Sequence, residues 1–173
     1  RDTRTGFLDR SMTRLAWLVG NADKASLDAR LYSVADVSNE ENHRVASFLR
    51  ATLKPSDRVF IWGFEPHIYA LSERRPASRY IYNVPQRVDW ARDESQTTLM
   101  QDLRKTPPAA LVVERGDVFP MVTGNLLDSA AALGEFPELA DLIESDYELA
   151  AQIGDFDVYL VRDYLEASPD YAD

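Results

Sequence analysis

The sequence predicts an α/β fold: a three-layer α/β/α sandwich around a mostly parallel sheet of about five strands, closed by a C-terminal antiparallel hairpin. Three observations predict it. Val59-Phe60-Ile61-Trp62 and Ala110-Leu111-Val112-Val113 are short, nearly continuous apolar runs, as expected of parallel strands covered on both faces. Segments with apolar residues at helical spacing alternate with those runs. Near the end, two further runs flank Gly154-Asp155, a hairpin signature.

Taken in order, residues 1–35 read as an N-terminal helical approach segment. Met12, Leu15, Leu18 and Val19 fall at helical spacing, Gly20-Asn21 is a stop, and a second short helix is expected over residues 24–31. The α/β domain follows over 36–163. Ser38 is placed to cap a helix that runs to Leu53, with Val45, Phe48, Leu49 and Leu53 as its apolar stripe. Lys54-Pro55-Ser56-Asp57 is a turn into strand 58–62. Residues 66–72 form a short helix with proline in its first turn, where a missing N–H is harmless. A second strand is expected over 78–83 and a loop over 84–93. A helix over 95–105 ends on Arg104 and Lys105, which suit its C-terminal dipole, and Pro107-Pro108 stops it. Strand 110–113 follows, then helices over 122–132 and 137–145. The hairpin pairs 148–153 with 157–162. Residues 164–173 are an acidic tail.

The chain has 173 residues, 45% hydrophobic and 28% charged, enough for one ordinary core. Its net charge is −10, so no nucleic-acid partner is expected. Charge is uneven: residues 1–19 hold Arg1, Arg4, Arg10 and Arg14 against Asp2 and Asp9. With Phe7, Leu8, Leu15, Trp17 and Leu18, that segment could pack on the domain edge or lie on a lipid surface. There is no cysteine, which removes thiol nucleophiles and thiolate metal sites. His43 and His67 lie in different elements, so no metal is expected, and no cofactor either. No apolar run is long enough to span a bilayer. A chain that opens on Arg1 reads as a portion of a longer protein.

Ligands of a parallel α/β sheet sit beyond the C-terminal ends of its strands. Three loops are expected there: Gly63-Phe64-Glu65, Asn83-Val84-Pro85 and Glu114-Arg115-Gly116. Gly63 stands alone, with neither the dinucleotide nor the P-loop pattern around it, and no G-x-S-x-G occurs. No catalytic residue is therefore nominated. Five residues are candidates for ligand binding. Trp62 either stacks on a sugar ring or is core. Glu65 either accepts from a sugar hydroxyl or complements a helix N-terminus. Arg74, Arg75 and Arg79 either fork onto phosphate or carboxylate, or pair internally with Glu65, Glu73 or Asp89.

One resemblance adds to this reading. Phe48-Leu49-Arg50, Leu53-Lys54-Pro55 and Asp57 lead into Arg58-Val59-Phe60-Ile61-Trp62-Gly63-Phe64-Glu65-Pro66. Ile68-Tyr69, Leu71-Ser72 and Arg74-Arg75-Pro76-Ala77-Ser78-Arg79-Tyr80 follow. In that order, residues 42–87 resemble the C-terminal soluble region of bacterial GT-C membrane glycosyltransferases, similar to protein O-mannosyltransferases and aminoarabinose transferases. The resemblance implies an accessory domain on the periplasmic face of the inner membrane. Such enzymes take sugar from a polyprenyl-phosphate donor, with the catalytic acid in the membrane part, outside this chain. The implied partners are the membrane part of the same polypeptide, lipid headgroups and a glycan acceptor. A free-standing doubly wound enzyme or nucleotide-binding domain, and a protein-interaction module, remain the alternatives.

Overall fold

The computed structural model describes residues 39–162 together with Met12, Leu15, Gly20 and Tyr164. The chain divides into two units, Arg1–Glu40 and Glu41–Asp173. In the first, Met12 and Leu15 are helical and Gly20 sits in a turn with φ +77°. The rest of the expected approach segment, the Ser38 cap and residues 165–173 of the expected tail lie outside the described residues.

Helix α1, Asn39–Thr52, buries Val45, Ala46 and Leu49 along one stripe. The turn after it is tied by Asp57, whose carboxylate accepts from the Lys54 N–H at 2.8 Å and the Tyr164 hydroxyl at 2.8 Å. Strand β1, Arg58–Trp62, follows, then α2, His67–Ser72. Glu73 ends α2 in the left-handed region, φ 58°.

Strand β2 is Arg75–Pro76 and pairs with Arg58 and Val59. The strand expected over 78–83 does not form. Those backbone donors are taken by side chains and by a loop carbonyl. Asp102 accepts from the Arg79 N–H at 3.1 Å, the Ser78 hydroxyl accepts from the Tyr80 N–H at 3.1 Å, and the Asn83 N–H reaches the Gly63 carbonyl at 3.2 Å. Side-chain capture of this kind competes with a strand ladder.

Helix α3, Val84–Arg87, lies within the expected loop, and α4, Arg92–Lys105, starts slightly early. Strand β3, Ala110–Glu114, is buried throughout. The single helix expected over 122–132 is two short ones, α5, Pro120–Thr123, and α6, Ser129–Ala132. Gly124, at φ 77°, ends α5 in a conformation that other residues resist. Asp128 caps α6 by accepting from the Ala131 N–H at 2.8 Å. A 3-10 turn, Leu133–Glu135, leads to α7, Pro137–Asp146, and to the hairpin β4, Tyr147–Ile153, and β5, Phe156–Val161.

The strand order is β2-β1-β3-β5-β4. β1 is parallel to β2 and β3, whereas β5 is antiparallel to β3 and β4. The sheet is thus mixed rather than mostly parallel, because the tight Gly154-Asp155 turn forces the hairpin to reverse. Alternate strand residues feed two apolar clusters. Val59, Ile61, Val112, Val158 and Leu160 pack with α1 and α2. Phe60, Trp62, Leu111 and Val113 pack with α4 and α7. A one-residue irregularity in β4 between Leu149 and Ala151 shifts its phase. Tyr147 therefore enters the second cluster and Ile153 the first, although both are odd-numbered.

Candidate functional site

The C-terminal ends of β1 and β3 lie side by side, with Trp62 paired to Val113. Trp62 is wholly buried, beside Phe136 at 5.8 Å between ring centroids. Its indole N–H donates to the Ser129 carbonyl at 2.6 Å, so it presents no face to a sugar.

Ser129 is the hub of a buried polar knot. Its N–H donates to Asp117 at 2.6 Å, and its hydroxyl donates to the second oxygen of the same carboxylate. That hydroxyl also accepts from the Asn83 amide at 2.7 Å and from Arg87 Nη1 at 3.0 Å. Arg87 Nη2 donates to the Leu127 carbonyl, and Nη1 stands 3.6 Å from Asp117. The guanidinium also lies over the Phe64 ring, 5.2 Å from its centroid. Burial pulls the Arg87 pKa down, against the carboxylate of Asp117. Burial pushes Asp117 up to about 6, although Ser129 and Arg87 favour its charged form.

Glu114 closes the end of β3. One of its oxygens accepts from the Phe64 N–H at 2.6 Å. Burial, then the nearby charges of Asp117, Glu65 and Asp155, push its carboxyl up to about 8. Gly63 is required by this contact. A Cβ there would stand 2.6 Å from the Glu114 Cβ and 2.4 Å from its carboxylate. Gly63→Ala is therefore expected to destabilise the domain by about 1–3 kcal/mol, as overpacking does. A urea denaturation curve unchanged from wild type would contradict this.

Glu65 is buried beside the same strand ends. It accepts from the Asn42 amide at 2.7 Å, and His67 Nδ1 stands 3.3 Å away. Three acids thus gather at one end of the sheet. Among the described residues, no group of three or more such side chains is placed to hold a metal ion.

The three arginines do not form one cluster. Arg74 is buried and turns toward the first face. Its Nη2 donates to the Leu53 carbonyl at 2.7 Å and the Arg50 carbonyl at 3.3 Å, and its Nη1 to the Ser72 carbonyl at 3.1 Å. It therefore satisfies carbonyls that the ends of α1 and α2 leave open. Arg75 is exposed on β2. Arg79 reaches α4, which packs on the second face, and forks onto Asp102 with two contacts of 2.9 Å. Arg74 and Arg75 also sit at the start of β1, the end away from the three strand-end loops.

Asp102, rather than Arg79, organises that turn. It accepts from Arg79 and from the Ser78 hydroxyl at 3.1 Å, and these bonds hold its pKa at about 2. The Arg79 side chain is 65% exposed, and exposed pairs contribute little. Arg79→Ala is expected to lower the urea midpoint less than Asp102→Ala does. The reverse order would contradict this assignment.

Arg87, Asp117 and Ser129 were not among the residues nominated from sequence. The available signal was indirect: Arg87 stands in the expected loop 84–93 and Asp117 just past the apolar run 110–113, each with an opposite charge two residues away that masks its buried role. Among the described residues, no helix is long and apolar enough to cross a membrane.

A family model described as "Putative competence-induced protein Ccs4 C-terminal domain" matches residues 39–130. The chain belongs to this family. The match to the Ccs4 C-terminal-domain family runs from α1 past β3, and so includes Gly63, Glu65, Arg87, Glu114, Asp117 and Ser129. None of the curated proteins matches the chain. Among solved structures, the C-terminal globular domain of an oligosaccharyltransferase from Archaeoglobus fulgidus is similar, with a TM-score of 0.42 and 10% identity. That likeness covers 69% of this chain and 95% of the other.

Proposed function

We propose that this chain is an accessory extracytoplasmic domain of a polyprenyl-phosphate-sugar-dependent membrane glycosyltransferase, and is not catalytic alone. One observation carries the reading. The strand ends where a doubly wound enzyme would take its ligand are filled by the protein's own Arg87–Asp117–Ser129 knot, with Trp62 beneath it. Such a knot stabilises a scaffold and turns most of its polar atoms onto one another, with Arg87 Nε and Asn83 Oδ1 left without a hydrogen-bond partner. The order of residues 48–80 supports the glycosyltransferase part of the reading. The family description places such domains at the C-terminal end of a longer protein.

In this reading the architecture is three-layer α/β/α, and the domain caps the membrane part of the same polypeptide or shapes acceptor access. Of the five residues nominated from sequence, Arg75 is exposed and open to a glycan acceptor, with Glu65 close to the surface through His67. The test is deletion of residues 39–162 from the longer membrane protein. Sugar transfer to the acceptor is expected to fall while binding of the polyprenyl-phosphate donor persists. Undiminished transfer would sink the proposal.

A further inference from the structure

We infer that the loop after β3 is a lipid-insertion element that seats its apolar tip in the interface of a zwitterionic bilayer. The inference stands on this loop and does not depend on the glycosyltransferase reading. Val118, Phe119, Pro120, Met121 and Val122 are five consecutive exposed residues, all apolar. Met121 is 97% exposed and Leu126, close behind it, 78%. A run of this kind on a folded surface marks an interaction site.

Two observations choose lipid as the occupant. The first is charge. Residues 118–127 contain no ionisable side chain, in a chain that is 28% charged with a net charge of −10. A second copy would bring a like-charged body to the same face, whereas an anionic membrane would repel it. A zwitterionic surface over hydrocarbon does neither. The second is backbone accounting. The Val118 N–H donates to the Gly116 carbonyl, those of Val122 and Thr123 to Phe119, and that of Gly124 to Pro120. Pro120 has no N–H to satisfy. The Thr123 hydroxyl also turns inward, onto the Phe119 carbonyl at 3.1 Å. Four of the loop's backbone donors are thus satisfied within the chain, which lowers the cost of leaving water at a lipid interface.

The loop is also held in place. Phe119 packs on Phe64 at 4.6 Å between ring centroids, and Asp117 is fixed by Ser129. α5 packs on α3, so Tyr82, just before α3, and Trp90, just after it and 86% exposed, emerge at the same end of the sheet. Tyr and Trp are the residues that favour the headgroup level.

The chain has no cysteine, so one introduced thiol labels uniquely. Residues 1–173 carrying Met121→Cys with an environment-sensitive fluorophore would be mixed with phosphatidylcholine vesicles. The label is expected to shift to the blue and to be quenched by a lipid-borne quencher. The same label on Glu144→Cys, exposed beside the opposite end of the sheet, is expected to stay silent. Met121→Glu combined with Leu126→Glu should keep the urea midpoint and weaken vesicle partitioning about 10-fold or more. A silent Met121 label, an equal response at Glu144, or undiminished partitioning of the double variant would overturn the inference. So would a blue shift that grows with protein concentration in the absence of lipid, which would assign the face to a second copy.

Discussion

Replacing Arg87 with leucine is expected to lower the unfolding free energy by about 3–5 kcal/mol, the usual result of removing one partner from a buried ion pair. Arg87 is among the largest wholly buried side chains of the described residues. Its guanidinium joins the Leu127 carbonyl, the Ser129 hydroxyl and Asp117, and covers the Phe64 ring. Leucine fills part of the space and none of these roles. Asp117 would be left as a buried carboxylate beside Ser129 and would respond by taking up a proton. The loss should be strongly non-additive. Arg87→Leu with Asp117→Leu should cost less than the sum of the two single changes, because the double variant buries no lone charge. Urea denaturation of the four proteins reads this directly. A single-variant loss under about 1 kcal/mol, an ordinary surface value, would contradict the account.

Stability is expected to fall as pH rises from about 5 to about 8, and Glu114→Gln is expected to remove most of that fall. The sign follows from proton binding. The folded Glu114 carboxyl is pushed up to about 8 by burial and by Asp117, whereas an unfolded glutamate releases its proton near 4.5. Between those values the folded state holds a proton that the unfolded state has lost, so raising the pH favours unfolding. One such proton gives a slope of at most about 1.4 kcal/mol per pH unit. Asp117, pushed up to about 6, adds a contribution of the same sign at the acid end of the window. Asp102 works the other way but lower. Its pKa, held near 2, gives stability that is present above the ordinary aspartate range and is lost as pH falls through about 2. Chemical denaturation at several pH values measures the profile. A flat or rising stability between pH 5 and 8, or a Glu114→Gln profile with an unchanged slope, would contradict the placement of that carboxyl.

The elements that sequence made legible are those with a local cause. β1 and β3 are apolar runs, α1, α4 and α7 carry apolar residues at helical spacing, and Gly154-Asp155 marks its own hairpin. The second strand was misplaced because Tyr80-Ile81-Tyr82 reads as strand by composition, whereas Asp102 and Ser78 take up neighbouring backbone donors. The helix expected over 122–132 breaks at Gly124, a residue that helices tolerate poorly. The site was the least legible part. Arg87, Asp117 and Ser129 belong to three separate segments, and only the packing of α3, β3 and α6 brings them together. The arginine triplet shows the converse. Arg74 and Arg79 are close in sequence, but the sheet edge passes between them, and each serves a different helix.

The central claim is that the domain serves a membrane glycosyltransferase without carrying its chemistry. Incubating purified residues 1–173 with a polyprenyl-phosphate sugar donor and a glycan acceptor, and measuring sugar transfer, tests it most directly. The account predicts no turnover above the protein-free control. Transfer that rises in proportion to the amount of this chain, and is abolished by Glu65→Gln or Glu114→Gln in a variant that remains folded, would contradict it.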